Sequence, residues 1–228
     1  MIGIIGGTVF FKSDLFTSLK TLPEHTKFGT VYLKKSKGFV FIPRHSANNN
    51  IPAHAINHKA NITALKNLGV KEVVGVYSTG SLKKEFEPGS LVVPDDYINF
   101  QKPLTFFDLT SKHVAPRLSS ETRKKLISSA EKLGLTVKTK ATYFQSPGPR
   151  LETKAEVNFL KDYADLVGMT MASEATLCRE LGLRFAGLCS VDNFANGVTD
   201  KHLSQELIEE AAARNSNIVS AILSELIG

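Results

Sequence analysis

Short apolar runs, separated by stretches with helical spacing, are the feature that most restricts how this chain can fold. The runs include residues 2–5, 31–33, 39–42, 73–77, 91–94, 139–144, 166–169 and 185–191. Runs of this length that are apolar throughout indicate strands buried on both faces of a sheet. A sheet built from such strands needs helices on both of its faces.

Segments with apolar residues at helical spacing follow several of these runs, over residues 57–68, 120–133, 173–181 and 204–226. Gly69, Gly134 and Gly182 come at the ends of the first three segments, and Ser204 opens the fourth, as is typical of helix boundaries. The alternation predicts one α/β domain over residues 1–228, with a central mixed β-sheet flanked by helices on both faces.

The net charge of +6 suggests an anionic partner. The lysines are scattered, and the chain has neither zinc-finger spacing nor an aromatic RNA-recognition motif. A solvated basic surface and a small anionic substrate such as phosphate both fit this charge. We therefore expect no nucleic-acid partner.

The cysteines and the hydropathy of the sequence indicate the cellular compartment in which the protein is expected. The two cysteines, Cys178 and Cys189, lie outside any CxxC arrangement, which suits a reducing environment. No apolar run reaches the roughly 18 residues of a membrane-spanning helix. The short apolar N-terminus lacks the basic region of a signal peptide. These features predict a cytoplasmic protein with no membrane partner.

Three small or charged motifs lie at predicted strands. The glycine-rich run 2–8 (IGIIGGT) contains the first predicted strand and continues past its end, whereas the pair Arg44 and His45 and residues 78–81 (STGS) follow later strands. Ligands of α/β proteins bind where strands end, and glycines let backbone N–H groups approach an anion. Each motif alone is explained as well or better by a tight turn, or by a surface arginine beside a packed histidine. The spacing of the glycines supports neither a dinucleotide fold nor a P-loop.

Two further residues and one pair of histidines have two interpretations each. Glu152 either supplies charge to a helix N-terminus or accepts a hydrogen bond from a base. Asn193, just past a predicted strand, is either a turn residue or a base contact. His54 and His58 have a spacing that could hold a metal, but no third ligand is evident, so we predict no metal site.

The motifs described above, in their order along residues 3 to about 197, resemble those of the trimeric purine nucleoside phosphorylases and methylthioadenosine phosphorylases. The match includes residues 148–153 (GPRLET) and residues 168–170 (GMT) with Glu174, and its pieces are specific in their combined order and spacing. Residues 148–153, with residues 43–45 (PRH), lean toward the methylthioinosine-type members. The resemblance implies a nucleoside-phosphorylase fold, a homotrimer, and phosphorolysis of a purine nucleoside to a free base and a pentose 1-phosphate. It implies phosphate as a co-substrate and no cofactor.

Matching positions imply the site residues. The implied phosphate ligands are Thr8, Arg44, His45, Ser78 and Thr170. The implied base and ribose contacts are Leu151, Glu152, Met169 and Asn193. Arg44, Glu152 and Asn193 would be the catalytic residues. More weakly, His113, in the long irregular segment 100–116, would reach the 5′ substituent bound by a neighbouring subunit.

The base contacts imply the substrate class. Methylthioadenosine enzymes of this family use aspartates where this chain has Asn193 and Ala195. An asparagine amide serves the 6-oxo oxygen and N7 of a purine together, while Glu152 can accept from N1–H. We therefore expect a 6-oxopurine nucleoside, either S-methyl-5′-thioinosine or inosine and guanosine. The alternatives are a methylthioadenosine phosphorylase and, in another class, a non-catalytic nucleoside-binding protein.

Overall fold

The predicted strands form one mixed sheet in the computed structural model, which describes residues 1–10, 13–48, 50–102, 104–200 and 204–228. The strands are β1 (Ile2–Gly6), β2 (Thr21–Thr26), β3 (Gly29–Lys35), β4 (Phe39–Pro43), β5 (Glu72–Ser81), β6 (Leu91–Val92), β7 (Asp96–Asn99), β8 (Thr142–Gln145), β9 (Leu166–Gly168) and β10 (Arg184–Phe194). Their order is β2-β3-β4-β1-β5-β9-β8-β7, and β10 pairs with both β5 and β6.

Parallel pairing dominates the centre of the sheet. Strand β1 is parallel to β4 and β5, and β10 runs parallel to β5 along most of its length. Strands β2 and β3 add antiparallel pairs at one side, and β9 pairs antiparallel with the last two residues of β5. The prediction of a mixed sheet is confirmed.

The helices are α1 (His58–Asn67), α2 (Ser120–Lys132), α3 (Lys154–Leu160), α4 (Met171–Glu180) and α5 (Gln205–Ile227). Four of them match the predicted segments, because their boundary signals act as expected. Ser204 caps α5 by accepting from the backbone N–H of Leu207. The glycines after α1, α2 and α4 have φ of +76°, +69° and +71°, a conformation that favours glycine.

Helices cover both faces of the sheet, and the alternation of side chains along the strands explains why. Ile5 of β1 points into a core that includes residues of α1 and α4. Its neighbour Ile4 points to the opposite face, into a core that includes residues of α2 and α5. Adjacent strand residues point to opposite faces, so strands that are apolar throughout need two helical layers. No helix of the described residues is long and apolar enough to cross a membrane.

Two strands and one helix were not predicted. Strands β2 and β7 lie at the two ends of the strand order, and none of their residues is fully buried. An edge strand needs no apolar run, which removes the signal on which the other strands were predicted. Helix α3 is only seven residues long. The segment predicted as 139–144 forms a strand over Thr142–Gln145 instead.

Candidate functional site

The ends of several strands surround one cleft of about 180 Å³. Its lining includes every residue predicted to contact phosphate, base or ribose: Thr8, Arg44, His45, Ser78, Leu151, Glu152, Met169, Thr170 and Asn193. Strands β1, β4, β5 and β10 run parallel, so their carboxyl ends meet at the same edge of the sheet. The topology thus brings together residues that are up to 185 positions apart in the sequence.

Arg44 follows β4 and lies almost fully buried at one end of the cleft. Its Nε donates to Oε1 of Glu174 at 2.6 Å, and its Nη2 donates to Oε2 of the same carboxylate at 3.1 Å. Nη1 donates to the carbonyl of Val76 at 2.9 Å, and Nη2 also reaches the carbonyl of Ile5 at 3.3 Å. The guanidinium is therefore held in one orientation.

The ring of Tyr77 completes this buried network. It lies 4.4 Å from the Arg44 guanidinium carbon, and its hydroxyl donates to Oε2 of Glu174 at 2.6 Å. Burial of the carboxylate alone would raise the pKa of Glu174, but the charge of Arg44 and the hydrogen bonds from His58 and Arg44 together outweigh it and hold that pKa well below its usual range. Burial, together with the Glu174 charge, raises the pKa of Tyr77, so its hydroxyl stays a donor.

His45 lies beside Arg44. Its Nδ1 is 2.7 Å from the carbonyl oxygen of Ile51, which can only accept, so Nδ1 carries the hydrogen. Burial, and then the charge of Arg44, lowers the pKa of His45. The ring is thus neutral near pH 7, with the lone pair on Nε2.

Hydroxyl groups and a helix end surround the same part of the cleft. Thr8 follows β1, Ser78 lies within β5, and Thr170 is the residue before α4. The Thr170 side chain makes no capping hydrogen bond to its own helix. The N-terminus of α4 therefore presents a hydroxyl and a positive dipole end to the cleft, an arrangement that attracts anions.

A β-bulge places Asn193 at the other end of the cleft. The register of β10 against β5 shifts between Val191 and Asn193, so Asp192 is the extra residue. Asn193 lines the cleft, and its Nδ2 donates to the carbonyl of Phe194 at 2.9 Å. The Asp192 carboxylate instead accepts from Ser190 at 2.8 Å and from Asn215 at 2.7 Å, and is absent from the lining. Asn193 is therefore not a simple turn residue.

Glu152 lines the same end of the cleft. Thr153 caps the adjacent helix α3 through a capping box with Glu156, so the capping hydrogen bonds of that helix do not involve the Glu152 side chain. Arg150 pairs with Glu156 as well, at 2.7 and 2.8 Å. The side chains of Arg150 and Glu156 are thereby paired with each other outside the cleft. The Glu152 carboxylate accepts no hydrogen bond among the described residues and is 8% exposed as a residue.

Two apolar residues, Met169 and Leu151, also line the cleft. Met169 packs against the loop before α3, so closely that a Cβ placed on Gly148 would lie 2.7 Å from the Met169 sulfur. Gly148 has φ of +61°, which favours glycine. Leu151 follows in the same loop and is 38% exposed. Ala195 is small and buried, and it adds space next to Asn193.

His113 lies elsewhere in the protomer. It lines a separate cavity of about 590 Å³ between the segment after β7 and helix α4. Its contact with the 5′ group bound by a neighbouring subunit stays a prediction. His54 belongs to a short turn before α1, whereas His58 is the first residue of α1 and faces Glu174. Among the described residues, no group of three side chains is arranged to hold a metal ion.

Glu174 and Tyr77 are the residues at the site whose contribution the sequence did not reveal. From the sequence, Tyr77 was predicted only as the last residue of a buried strand. Glu174 was noted only as one of the residues that match the family. A signal was present, because Glu174 is the one acidic residue in a first helical turn made otherwise of small and apolar residues. A buried carboxylate requires a cationic partner, and Arg44 is that partner.

Replacing Gly7 by alanine is expected to displace Arg44. A Cβ at Gly7 would lie 2.6 Å from Nη1 of Arg44 and 3.1 Å from Nε2 of His45. The guanidinium must move to make room, against the hydrogen bonds that hold it. We expect a stability loss of about 1–3 kcal/mol and a phosphate KM raised by about tenfold, or ~1.4 kcal/mol.

The matched control is Gly38→Ala, whose added Cβ meets nothing closer than 3.9 Å. Steady-state kinetics and denaturant unfolding of both variants measure the two effects. An unchanged phosphate KM in the Gly7 variant would contradict the prediction that Arg44 binds phosphate.

The pair of Arg44 and Glu174 also predicts a pH effect on folding. Because the pKa of Glu174 is lowered in the folded state, the pair stabilises the fold fully above pH 4.5, the ordinary glutamate value. That contribution is lost as the pH falls through the lowered pKa, by up to about 1.4 kcal/mol per pH unit. The free energy of unfolding should therefore fall less steeply below pH 4.5 in Glu174→Gln than in the wild type. Parallel curves would show that the pair is not formed.

Comparisons with known proteins identify the family of this chain. The family model described as "Phosphorylase superfamily" matches residues 1–228. The "Probable 6-oxopurine nucleoside phosphorylase" of Archaeoglobus fulgidus is 39% identical, covering 100% of this chain and 96% of that protein. The "Probable S-methyl-5'-thioinosine phosphorylase" of Methanocaldococcus jannaschii is 35% identical, covering 100% of this chain and 92% of that protein.

A solved structure extends the similarity to three dimensions. The methylthioadenosine phosphorylase of Schistosoma mansoni, in complex with adenine, superposes with a TM-score of 0.87. It is 25% identical, and the alignment covers 99% of this chain and 90% of that one. The predicted fold class is confirmed.

Proposed function

We propose that this chain, which belongs to the phosphorylase superfamily, catalyses the phosphorolysis of 6-oxopurine nucleosides. The observation that carries this proposal is the single cleft, whose lining combines Arg44 and hydroxyl groups with Asn193 and Glu152. Arg44 contacts Val76 of β5, whereas Asn193 pairs with Gly80 farther along the same strand. A dianion needs the first set of groups, and a neutral keto-purine needs the second. The pentose, which is bonded to the purine and is attacked by the phosphate, would lie against Met169.

The proposed reaction exchanges one bond at the anomeric carbon for another. The bond from C1′ to N9 breaks as an oxygen of phosphate bonds to C1′, and the hydrogen of monohydrogen phosphate ends on the departing base. Arg44, Thr8, Ser78 and Thr170 would hold the phosphate. His45 lines the cleft beside Arg44 and would contact the bound phosphate. We assign no metal or organic cofactor to the reaction.

The charge that develops on the base is the second requirement. As the glycosidic bond stretches, negative charge gathers on the purine, and the amide of Asn193 near N7 and O6 would stabilise it. Glu152 would accept from N1–H, which a neutral adenine lacks. A site that satisfies one set of hydrogen bonds rejects a base that leaves those groups unpaired.

The 5′ group and the assembly extend the proposal. We favour S-methyl-5′-thioinosine over inosine and guanosine, on the resemblance of residues 43–45 and 148–153 to methylthioinosine-type enzymes and on relatives such as that of Methanocaldococcus jannaschii. We also propose a cytoplasmic homotrimer in which His113 approaches the nucleoside bound by its neighbour.

Two alternatives remain open to test. A methylthioadenosine phosphorylase is favoured by the structural similarity to the Schistosoma mansoni enzyme. Asn193 and Ala195 argue against it, because neither can accept from both the exocyclic amine and a protonated N7. A non-catalytic nucleoside-binding protein would not need the full set of anion donors that this cleft contains.

The deciding experiment measures base release from inosine, guanosine, adenosine and the two methylthio nucleosides, each with and without phosphate. We expect phosphate-dependent release that is fastest with a 6-oxopurine. A preference for the adenine nucleosides would establish the methylthioadenosine alternative. Binding of base with no phosphate-dependent turnover would establish the non-catalytic one.

A further inference from the structure

We propose that Glu174 is a positioning residue for phosphate, acting through Arg44 and resting on the function proposed above. Arg44 has five N–H donors. Four of them are used within the protein, on the carboxylate of Glu174 and the carbonyls of Val76 and Ile5. The fifth, on Nη1, has no acceptor in the part of the chain that the structure describes.

The position of Nη1 shows where this fifth donor acts. Nη1 lies beside Gly7, within about 3 Å of the point where a side chain there would begin, and Nε2 of His45 lies near the same point. Thr8 and His45 line the cleft with Arg44. One N–H of Arg44 is therefore left at the phosphate end, and we infer that it is the donor that Arg44 offers to phosphate.

Glu174 fixes the orientation of the remaining N–H on Nη1 of Arg44. Its two oxygens hold the Nε–H and one Nη2–H of the guanidinium, which sets the plane of the group. Tyr77 holds the second oxygen through its hydroxyl, and Nδ1 of His58 lies 3.4 Å from the first. The carboxylate is fully buried, so it cannot contact phosphate itself.

The Glu174→Gln variant separates two possible effects of Glu174 on phosphate binding, an effect of its charge and an effect of its hold on Arg44, because they change the affinity in opposite directions. Removing a negative charge near Arg44 should strengthen the attraction for a phosphate dianion if charge alone matters. A glutamine, however, offers only one acceptor oxygen where the carboxylate offers two. Either Nε, or Nη2 and the Tyr77 hydroxyl, would then face an amide NH₂, and the guanidinium would turn away from its present plane.

The test measures the dissociation constant of inorganic phosphate by calorimetry, together with phosphate-dependent turnover. For Glu174→Gln we expect phosphate binding weakened by about tenfold or more, equivalent to ~1.4 kcal/mol, with the nucleoside KM changed by less than about twofold. Unchanged or tighter phosphate binding would overturn the inference. If the wild type itself shows no phosphate-dependent turnover, the proposed function fails instead.

Two further variants separate positioning from a general loss of structure. Glu72→Gln removes another buried glutamate, which pairs with Lys125 at the opposite end of β5, and it should leave phosphate binding unchanged. Tyr77→Phe keeps both charges and removes one hydrogen bond to Glu174. It should weaken phosphate binding by about two- to fivefold even if the glutamine variant fails to fold. An effect of Glu72→Gln equal to that of Glu174→Gln, or no effect of Tyr77→Phe, would contradict the inference.

Discussion

Replacing Arg44 by methionine is expected to reduce kcat/KM for phosphate by about 10³-fold. Loss of one preorganised donor to a reacting anion typically costs ~10²–10³ in rate, and methionine also removes the charge. Among the described residues that line the cleft, Arg44 is the only lysine or arginine, so none of these residues can take over its charge. Steady-state kinetics with varied phosphate measures the loss.

The same substitution should also destabilise the protein. It leaves the Glu174 carboxylate buried without its partner, which costs about 3–5 kcal/mol. The double variant Arg44→Met with Glu174→Gln removes both charges and should recover most of that stability while phosphate use stays lost. Recovery of phosphate use in the double variant would show that Arg44 does not bind the anion.

Replacing Asn193 by aspartate is expected to change the base preference. The new carboxylate repels the 6-oxo oxygen, which the amide would donate to, but it can accept from the exocyclic amine of adenine and from a protonated N7. We expect the ratio of kcat/KM for inosine to that for adenosine to fall by about 10²-fold or more. Such ratios are typical when a site's polar groups lose their partners.

The phosphate KM is the internal control for this variant, because Asn193 pairs with Gly80 of β5, whereas Arg44, a proposed phosphate ligand, contacts Val76 of the same strand. It should change by less than about threefold. A base ratio that stays constant would show that Asn193 does not discriminate between bases. A large change in phosphate KM would show that the substitution disturbs the whole cleft.

Those parts of the fold that rest on burial or on helix boundaries could be predicted from the sequence. Ile4 and Ile5 are apolar because helices cover both faces of their strand, and Gly69 marks the end of α1 because only glycine adopts its φ of +76° without strain. Strands β2 and β7 escaped prediction because sheet edges are exposed, so their sequences carry no apolar run.

The residues that line the cleft could be predicted from the sequence. The buried contacts that hold Arg44 in its orientation could not. Thr8, Arg44 and Asn193 follow or end strands, where ligands of α/β proteins bind. The contact of Arg44 with Glu174 joins residues 130 positions apart, and no local pattern encodes such a pair. The role of Glu152 was ambiguous for a similar reason, since only the structure shows that Thr153 and Glu156 complete the helix cap without it.

A crystal structure with phosphate and hypoxanthine bound together tests most directly whether one cleft holds both the anion and the purine. We expect phosphate within hydrogen-bond distance of Arg44 and Thr170, and hypoxanthine on Asn193 and Glu152, with room for a pentose between them beside Met169. Phosphate or hypoxanthine bound outside this cleft, or hypoxanthine bound with no contact to Asn193, would contradict the proposed function.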